Sequence, residues 1–466
     1  MSVARPEYSP LSMTASSTAG RRKGMTALTG LTIYLVLLCG IPSNMTISAL
    51  GSVGRPAVLW GLILALWWVI HRLHAPRLAS SSPSQPVRVA YAAIVVVVLV
   101  GFAAALLRGQ PADQVTSATG AVLRLASWGG VLLVAMDGIT TMRDLRRLID
   151  RIVLLATIVA ILGLVQTFSG QTLVDQLAIP GFELTEEGGV QSRGAFVRAT
   201  GTATHPLEFA MLLTCALPLA LTSATARSGD VSRRAWPTWS AVVILGVTLL
   251  VSASRSAILG FALVLLATLP ALHGRLRGML IAGSAVAVAV IAVVRPGMLG
   301  TMLSAFTGVD SDSSAQSRSD ALERAPEFLS VSPWYGSGFG TFLSRYYIFD
   351  NQWVLTTVEL GVLGLLAFAG LICAAMWSAW HARRLSAMND VRVLGQGLLA
   401  ACLGGAVALI GFDGLSFPIS AGVLFLVMGT TASLRAIAHG DRWMADVRRA
   451  GVDDVVDGHD RPVAAG

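Results

Sequence analysis

The sequence predicts an all-α polytopic membrane protein with about 12 transmembrane helices. Three observations carry that expectation. Hydrophobic residues make up 54% of the 466 positions and charged residues 13%, with a mean hydropathy of +0.69. A soluble domain carries roughly 25% charge. The apolar residues gather in repeated runs of about the 20 residues that a helix needs to cross a bilayer. The basic residues, finally, are shared unevenly among the segments that join those runs.

Taken in order, residues 1–24 are rich in Ser and Thr and end in Arg21-Arg22-Lys23. The apolar run that follows lacks a convincing cleavage site and is succeeded by many others. It reads as a retained first helix preceded by a disordered cytoplasmic tail. Apolar runs then lie near 25–42, 56–71, 89–107, 118–136, 149–169, 202–224, 236–253, 255–272, 277–294, 351–378, 394–412 and 417–437. Between 236 and 272 the only charge is Arg255. At about 1.5 Å rise per residue a single helix of that length would far exceed a hydrocarbon core of about 30 Å. The chain is therefore expected to cross twice and to turn near Arg255. After His439, Arg and Asp alternate without apolar period, so residues 438–466 read as a second disordered cytoplasmic tail. The membrane domain between the tails spans 25–437.

Placing the amino terminus inside assigns 24 of the 34 Lys and Arg to inner segments, Arg143, Arg146, Arg147, Arg383, Arg384 and Arg392 among them. Every inner loop follows the positive-inside rule. The net charge of +8 is thus a topology signal and calls for no nucleic-acid partner. Both termini fall in the cytoplasm, and two long loops, about 170–200 and 295–350, fall outside. In the second loop Ala321, Leu322, Ala325 and Phe328 share one face of an expected short helix on the membrane surface. The four cysteines, Cys39, Cys215, Cys373 and Cys402, lie singly in apolar runs and read as small core residues.

Three outer-facing helix openings carry the polar chemistry. The first is Arg198-Ala-Thr-Gly-Thr-Ala-Thr-His-Pro-Leu-Glu208. Pro206 suits a first helical turn, and the positive dipole end of that helix, beside Arg198, favours an anion. Arg198 could equally snorkel to headgroups, and His205 could be a hydrogen-bonded interface residue. Glu208 lies one turn into the membrane, where an ionisable group is costly and has a partner. His205 is the one histidine near the outer face. The second opening is Ser252-Ala-Ser-Arg-Ser256, where Ser252 or Ser254 can cap the helix and a neutral turn could have served in place of Arg255. The third is Pro333-Trp-Tyr-Gly-Ser-Gly-Phe-Gly340-Thr-Phe followed by Asp350-Asn351. Gly336, Gly338 and Gly340 would let backbone amides approach a ligand, or would form a surface turn. Asp350 could cap the following helix. Glu359, about 13 Å down that helix, reads as buried, paired and structural. No metal-ligand or nucleotide-binding pattern appears in the outer loops, so no cofactor is expected and arginine must neutralise any phosphate.

These motifs, Arg-Ala-Thr-Gly-Thr-x-x-His-Pro, Ser-Arg-Ser-Ala-Ile-Leu-Gly from Ser254, and Pro-x-x-Gly-x-Gly-x-Gly-Thr-Phe leading to Asp350-Asn351 and Glu359-Leu-Gly, together resemble the O-antigen ligase and polymerase superfamily. The resemblance covers roughly 195–375. It implies a glycosyltransferase of the bacterial cytoplasmic membrane with its active site facing outside. Such an enzyme moves a glycan from a polyprenyl-diphosphate-linked donor to a glycan or lipid acceptor hydroxyl among membrane lipids. It implies that Arg198 and Arg255 hold the diphosphate, with Arg193, Gly336, Gly338, Gly340 and Asn351 as further substrate contacts. The family usually has His-Asn where this chain has Asp350-Asn351, so Asp350, with His205 or Glu208 as substitutes, is the expected base for an inverting, metal-independent transfer. A transporter or flippase of lipid-linked glycans is the alternative. The matching halves that transporter folds repeat are not detectable here.

Overall fold

In the computed structural model the chain is described over residues 25–74, 85–171, 196–227, 236–252, 255–294, 313–330 and 332–457, with short pieces between 173 and 193. A helix occupies each of the twelve expected apolar runs: α1 Ala27–Gly40, α2 Pro56–His74, α3 Pro86–Leu107, α4 Ala112–Gly138, α5 Met142–Ser169, α6 Pro206–Arg227, α7 Trp236–Val251, α8 Arg255–Thr268, α9 Gly274–Val294, α11 Gln352–Leu385, α12 Asn389–Ala408 and α13 Pro418–Asp457. α10, Ser313–Leu329, lies between α9 and α11 in the chain. Among the described residues, eight of these helices are long and apolar enough to cross a membrane. The expected turn near Arg255 is present, with α7 ending at Val251 and α8 beginning at Arg255.

Burial sorts the helices into a centre and a periphery. α6 and the apolar part of α13 are almost wholly buried, whereas α2 and α3 turn most of their surface outward. In a bilayer those outward faces meet lipid, where apolar side chains such as Leu66, Val89 and Val96 carry no cost. Small residues allow the closest approaches. A Cβ on Gly130 would lie 2.4 Å from the Gly61 carbonyl, so α2 and α4 touch through their backbones.

The helices alternate in direction, which gives the bundle two ends. At the upper end, Gln166 near the close of α5 accepts from the Gly201 amide (2.7 Å) and donates to its carbonyl (2.9 Å). Thr202 donates to the Cys39 carbonyl as α1 ends (2.8 Å), and Arg108, just past α3, donates to the Gly336 carbonyl (3.1 Å). Leu250 and Val251 pack on Leu164, which brings the α7–α8 turn to the same end. At the lower end, Arg88 pairs with Asp137, Arg146 with Asp390, and Ser433 donates to the Ile139 carbonyl (2.6 Å).

Four details depart from the sequence reading. Two small antiparallel ribbons decorate the upper loops: β1, Met45–Thr46, pairs with β2, Glu183–Leu184, and β3, Gln191–Arg193, pairs with β4, Phe196–Arg198. α10 forms where an amphipathic helix was expected, but Ala325 and Phe328 pack on Phe342, Phe349, Val354 and Val358 while Leu322 stays exposed. Its apolar face is thus taken largely by the protein's own loop. α13 continues to Asp457, so helix extends well into the stretch read as a disordered tail. Cys373 is exposed on the outer face of α11, unlike the other three cysteines.

Candidate functional site

The upper end is held together by the polar residues of three loops. Glu208, in the first turn of α6, is fully buried. Its Oε2 accepts from the Ser43 hydroxyl and the Thr204 amide, both at 2.9 Å, and its Oε1 accepts from the Ile419 amide at 2.8 Å. Ile419 is in the first turn of α13, whose amides have no partner within the helix. One carboxylate therefore ties together the turn after α1, the loop before α6 and the opening of α13. Arg55 lies within electrostatic range.

His205 precedes Pro206 and is half-buried. Its Nδ1 accepts from the Leu207 amide (3.1 Å), so the neutral ring carries its proton on Nε2. The ring packs on Phe417 at 5.6 Å between centroids. Burial first, and the neighbouring Arg198 guanidinium second, push the imidazole down to about 4 from its ordinary 6.5. The ring is thus a neutral Nε2–H donor at physiological pH and not a ready proton acceptor.

The glycine loop inserts into α11. Gly361 has φ +67° and interrupts that helix, which leaves its carbonyls and amides open to neighbours. The loop supplies them: the Ser337 amide donates to the Val358 carbonyl (3.1 Å) and the Gly338 amide to the Glu359 carbonyl (2.8 Å). In the other direction the Val362 amide donates to the Pro333 carbonyl (2.9 Å) and the Leu363 amide to the Trp334 carbonyl (3.2 Å). Gly336 has φ +67°, and a Cβ there would stand 2.3 Å from the Glu359 carbonyl carbon. These glycines allow backbone to meet backbone. Glu359 accepts from the amides of Gly340 and Phe342, and Arg124 and Asp413 lie within its electrostatic range.

Above this junction lies a cavity of about 270 Å³ whose walls include Arg124, Trp128, Phe339, Tyr347, Glu359 and Asp413. Phe349 and Gln352 also line it, and Asp350 follows Phe349 in the chain. The helix cap is not Asp350. Asn351 Oδ1 accepts from the amides of Trp353 (3.0 Å) and Val354 (3.3 Å). Gln352 then fixes the opposite wall, its Oε1 accepting from the Leu415 amide at 2.8 Å. The wall turn 409–417 ends in Phe417, the ring that packs on His205, so the cavity and the Arg198–His205 loop are one turn apart.

Arg198, His205, Glu208, Gly336, Gly338, Gly340, Asp350 and Asn351 thus all gather at the upper end. Arg255 opens α8 at that end, but its side chain and that of Arg193 lie outside what the structure describes. Ser254 is likewise outside. Ser252 donates to the Leu249 carbonyl (2.8 Å), which closes α7. Sequence reasoning passed over Arg55, Arg124 and Asp413. The available signal was a lone ionisable residue in or beside an apolar run, which is costly unless it serves a partner or a cavity.

A comparison with curated proteins found no match to the chain. Residues 240–369 match the family model described as O-antigen ligase. That segment runs from α7 to the middle of α11 and holds the glycine loop, Asp350 and Glu359. Over those residues the chain is similar to the O-antigen ligase family, in line with the resemblance in its motifs.

Proposed function

We propose that the upper end transfers a glycan from a polyprenyl-diphosphate-linked donor to an acceptor hydroxyl. The observation that carries this reading is the meeting of Arg198, the openings of α6, α8, α11 and α13, and a polar, aromatic-walled cavity at one end of a membrane bundle. Helix amino ends and guanidinium groups favour a diphosphate. Aromatic walls beside carboxylates and an arginine suit a sugar, which offers apolar ring faces and a rim of hydroxyls. The positive-inside bias of the loops directs this end outward, and all twelve apolar helices cross in that reading.

In the proposed step the acceptor oxygen attacks the anomeric carbon from the face opposite the diphosphate. The new C–O bond forms as the bond to the phosphate oxygen breaks, and the anomeric configuration inverts. Arg198 and Arg255 stabilise the charge that develops on the leaving diphosphate, an effect worth several kcal/mol in comparable sites. Asp350, next in the chain to Phe349 of the cavity wall, takes the hydroxyl proton. His205 donates from Nε2 to a substrate oxygen. Glu208, with all its acceptors engaged, positions the loop that carries Arg198 and does not handle protons.

The test uses purified protein in detergent with a lipid-linked glycan donor and an acceptor. No membrane then separates two sides, so a flippase produces nothing and a transferase forms product. Arg198→Gln, Arg255→Gln and Asp350→Asn should each lower turnover by about 100-fold or more. Glycan movement across vesicles without product in detergent would overturn the reading in favour of a flippase. Unchanged turnover in all three variants would remove the site assignment.

A further inference from the structure

At the lower end, where transfer has no need of cations, α11 closes and α12 opens around a cavity of about 450 Å³. Its walls are Trp380, Arg383, Arg384, Ser386 and Arg392. Arg383 stands within electrostatic range of both Arg392 and Arg384. The cluster is built, as its anchoring shows. Arg383 donates to Gln396 Oε1, and Gln396 donates onward to the Ala267 carbonyl at the foot of α8. The Arg384 guanidinium lies over the Trp380 ring at 4.2 Å. The carboxylate in the first turn of α12, Asp390, is engaged by Arg146.

Three guanidinium groups around one cavity repel each other unless an anion sits among them. The positive-inside bias accounts for arginines on this side of the bundle but not for their convergence on a shared, anchored hollow. The surroundings identify the anion. Trp377 and Trp380 remain 40% and 37% exposed on the outward face of α11, and Arg435 lies over Trp377 at 4.8 Å. Exposed indoles at the end of a spanning helix sit at headgroup depth. A ligand that reaches this hollow therefore comes from the bilayer.

We propose that the Arg383–Arg384–Arg392 cavity binds the phosphodiester headgroup of an anionic phospholipid. Planar guanidinium groups contact phosphate oxygens in pairs, and the Trp380 ledge supports the glycerol and upper acyl region. Basic hollows between spanning helices are suited to such headgroups. The site lies a full helix length from the upper-end cavity and stands independently of the transfer reading.

The experiment is native mass spectrometry of the full-length protein in detergent, offered phosphatidylglycerol or phosphatidylcholine of the same acyl chains. Wild-type protein should retain phosphatidylglycerol preferentially, and Arg384→Gln and Arg392→Gln should each weaken that preference about fivefold, the ratio that roughly 1 kcal/mol per basic residue near an anionic surface gives. Arg143→Gln, an exposed arginine at the same end, should leave it unchanged. Equal retention of the two lipids by wild-type protein would overturn the proposal without reliance on any variant. So would wild-type retention in the Arg384→Gln/Arg392→Gln protein, or displacement of phosphatidylglycerol by millimolar inorganic phosphate, which would mark the hollow as a site for soluble phosphate.

Discussion

The Glu208 carboxylate accepts the Ile419 amide at 2.8 Å across 211 residues of sequence, and this bond joins the two most deeply buried helices at their upper ends. Replacing Glu208 with Ala strands the Ile419 amide, leaves the Thr204 amide with Ser43 Oγ alone and removes one carboxylate from the surroundings of Arg55. A loss of roughly 3 kcal/mol follows from uncovering such partners in a buried setting. Glu208→Gln keeps one acceptor and places an NH₂ against the remaining donors, for a smaller loss of about 1–2 kcal/mol. Thermal melting in detergent measures both. Turnover per folded molecule should stay within about threefold for the Gln variant if Glu208 braces and does not catalyse. A 100-fold fall at unchanged melting temperature would return it to the proton-transfer step.

His205 makes a pH prediction of definite sign. Its folded-state value is about 4 against 6.5 for the free side chain, so between those limits the unfolded chain holds the extra proton. Stability therefore rises with pH across roughly 4 to 6.5 and is flat above it, as far as this group is concerned, with a span of up to about 3 kcal/mol. Melting curves of wild-type and His205→Gln protein, compared from pH 4 to 8, should diverge only in the acid limb. Equal pH dependence in the two proteins contradicts the buried neutral ring.

Gly361 and Gly336 are the two halves of the loop–helix junction. At Gly361 a Cβ would stand 2.3 Å from the Trp334 carbonyl carbon, with φ at +67°. Both the clash and the left-handed backbone oppose a side chain. Gly361→Ala should cost more than about 2 kcal/mol. Gly370→Ala, further along α11 with nothing within 4 Å of its Cβ, should be neutral or mildly stabilising. The yield of monodisperse protein and its melting temperature separate them.

Arg124 and Glu359 both line the cavity and act on each other electrostatically. Single changes, Arg124→Met or Glu359→Gln, each remove one partner of this electrostatic pair. The double variant removes both partners, so its loss should fall short of the sum by about 1–3 kcal/mol. Additive losses would mean that the two groups do not interact.

Much of the fold was legible because helix crossing imposes a length and a composition that a reader can count. The turn at Arg255 followed from arithmetic on residues 236–272. The site was legible as a set of loops, since lone polar residues in an apolar sequence mark themselves. Individual roles were not. Asn351 and not Asp350 caps α11, because a cap depends on φ and ψ at one residue, which either side chain permits. The alternate glycines read as a ligand cradle, and their backbone also meets an interrupted helix. Nothing local announces a break 25 residues downstream of Gly336. Arg124 lies in α4 and Asp413 in the turn between α12 and α13, and only the packed bundle brings them to Glu359.

The four backbone bonds between residues 333–338 and 358–363 have a bearing on substrate entry. To swing away, that segment would have to surrender all four at once and drag the head of the interrupted helix with it. It acts as masonry and not as a door. In the proposed transfer, substrate would then reach the cavity on the opposite flank, beside the Arg198–His205 turn.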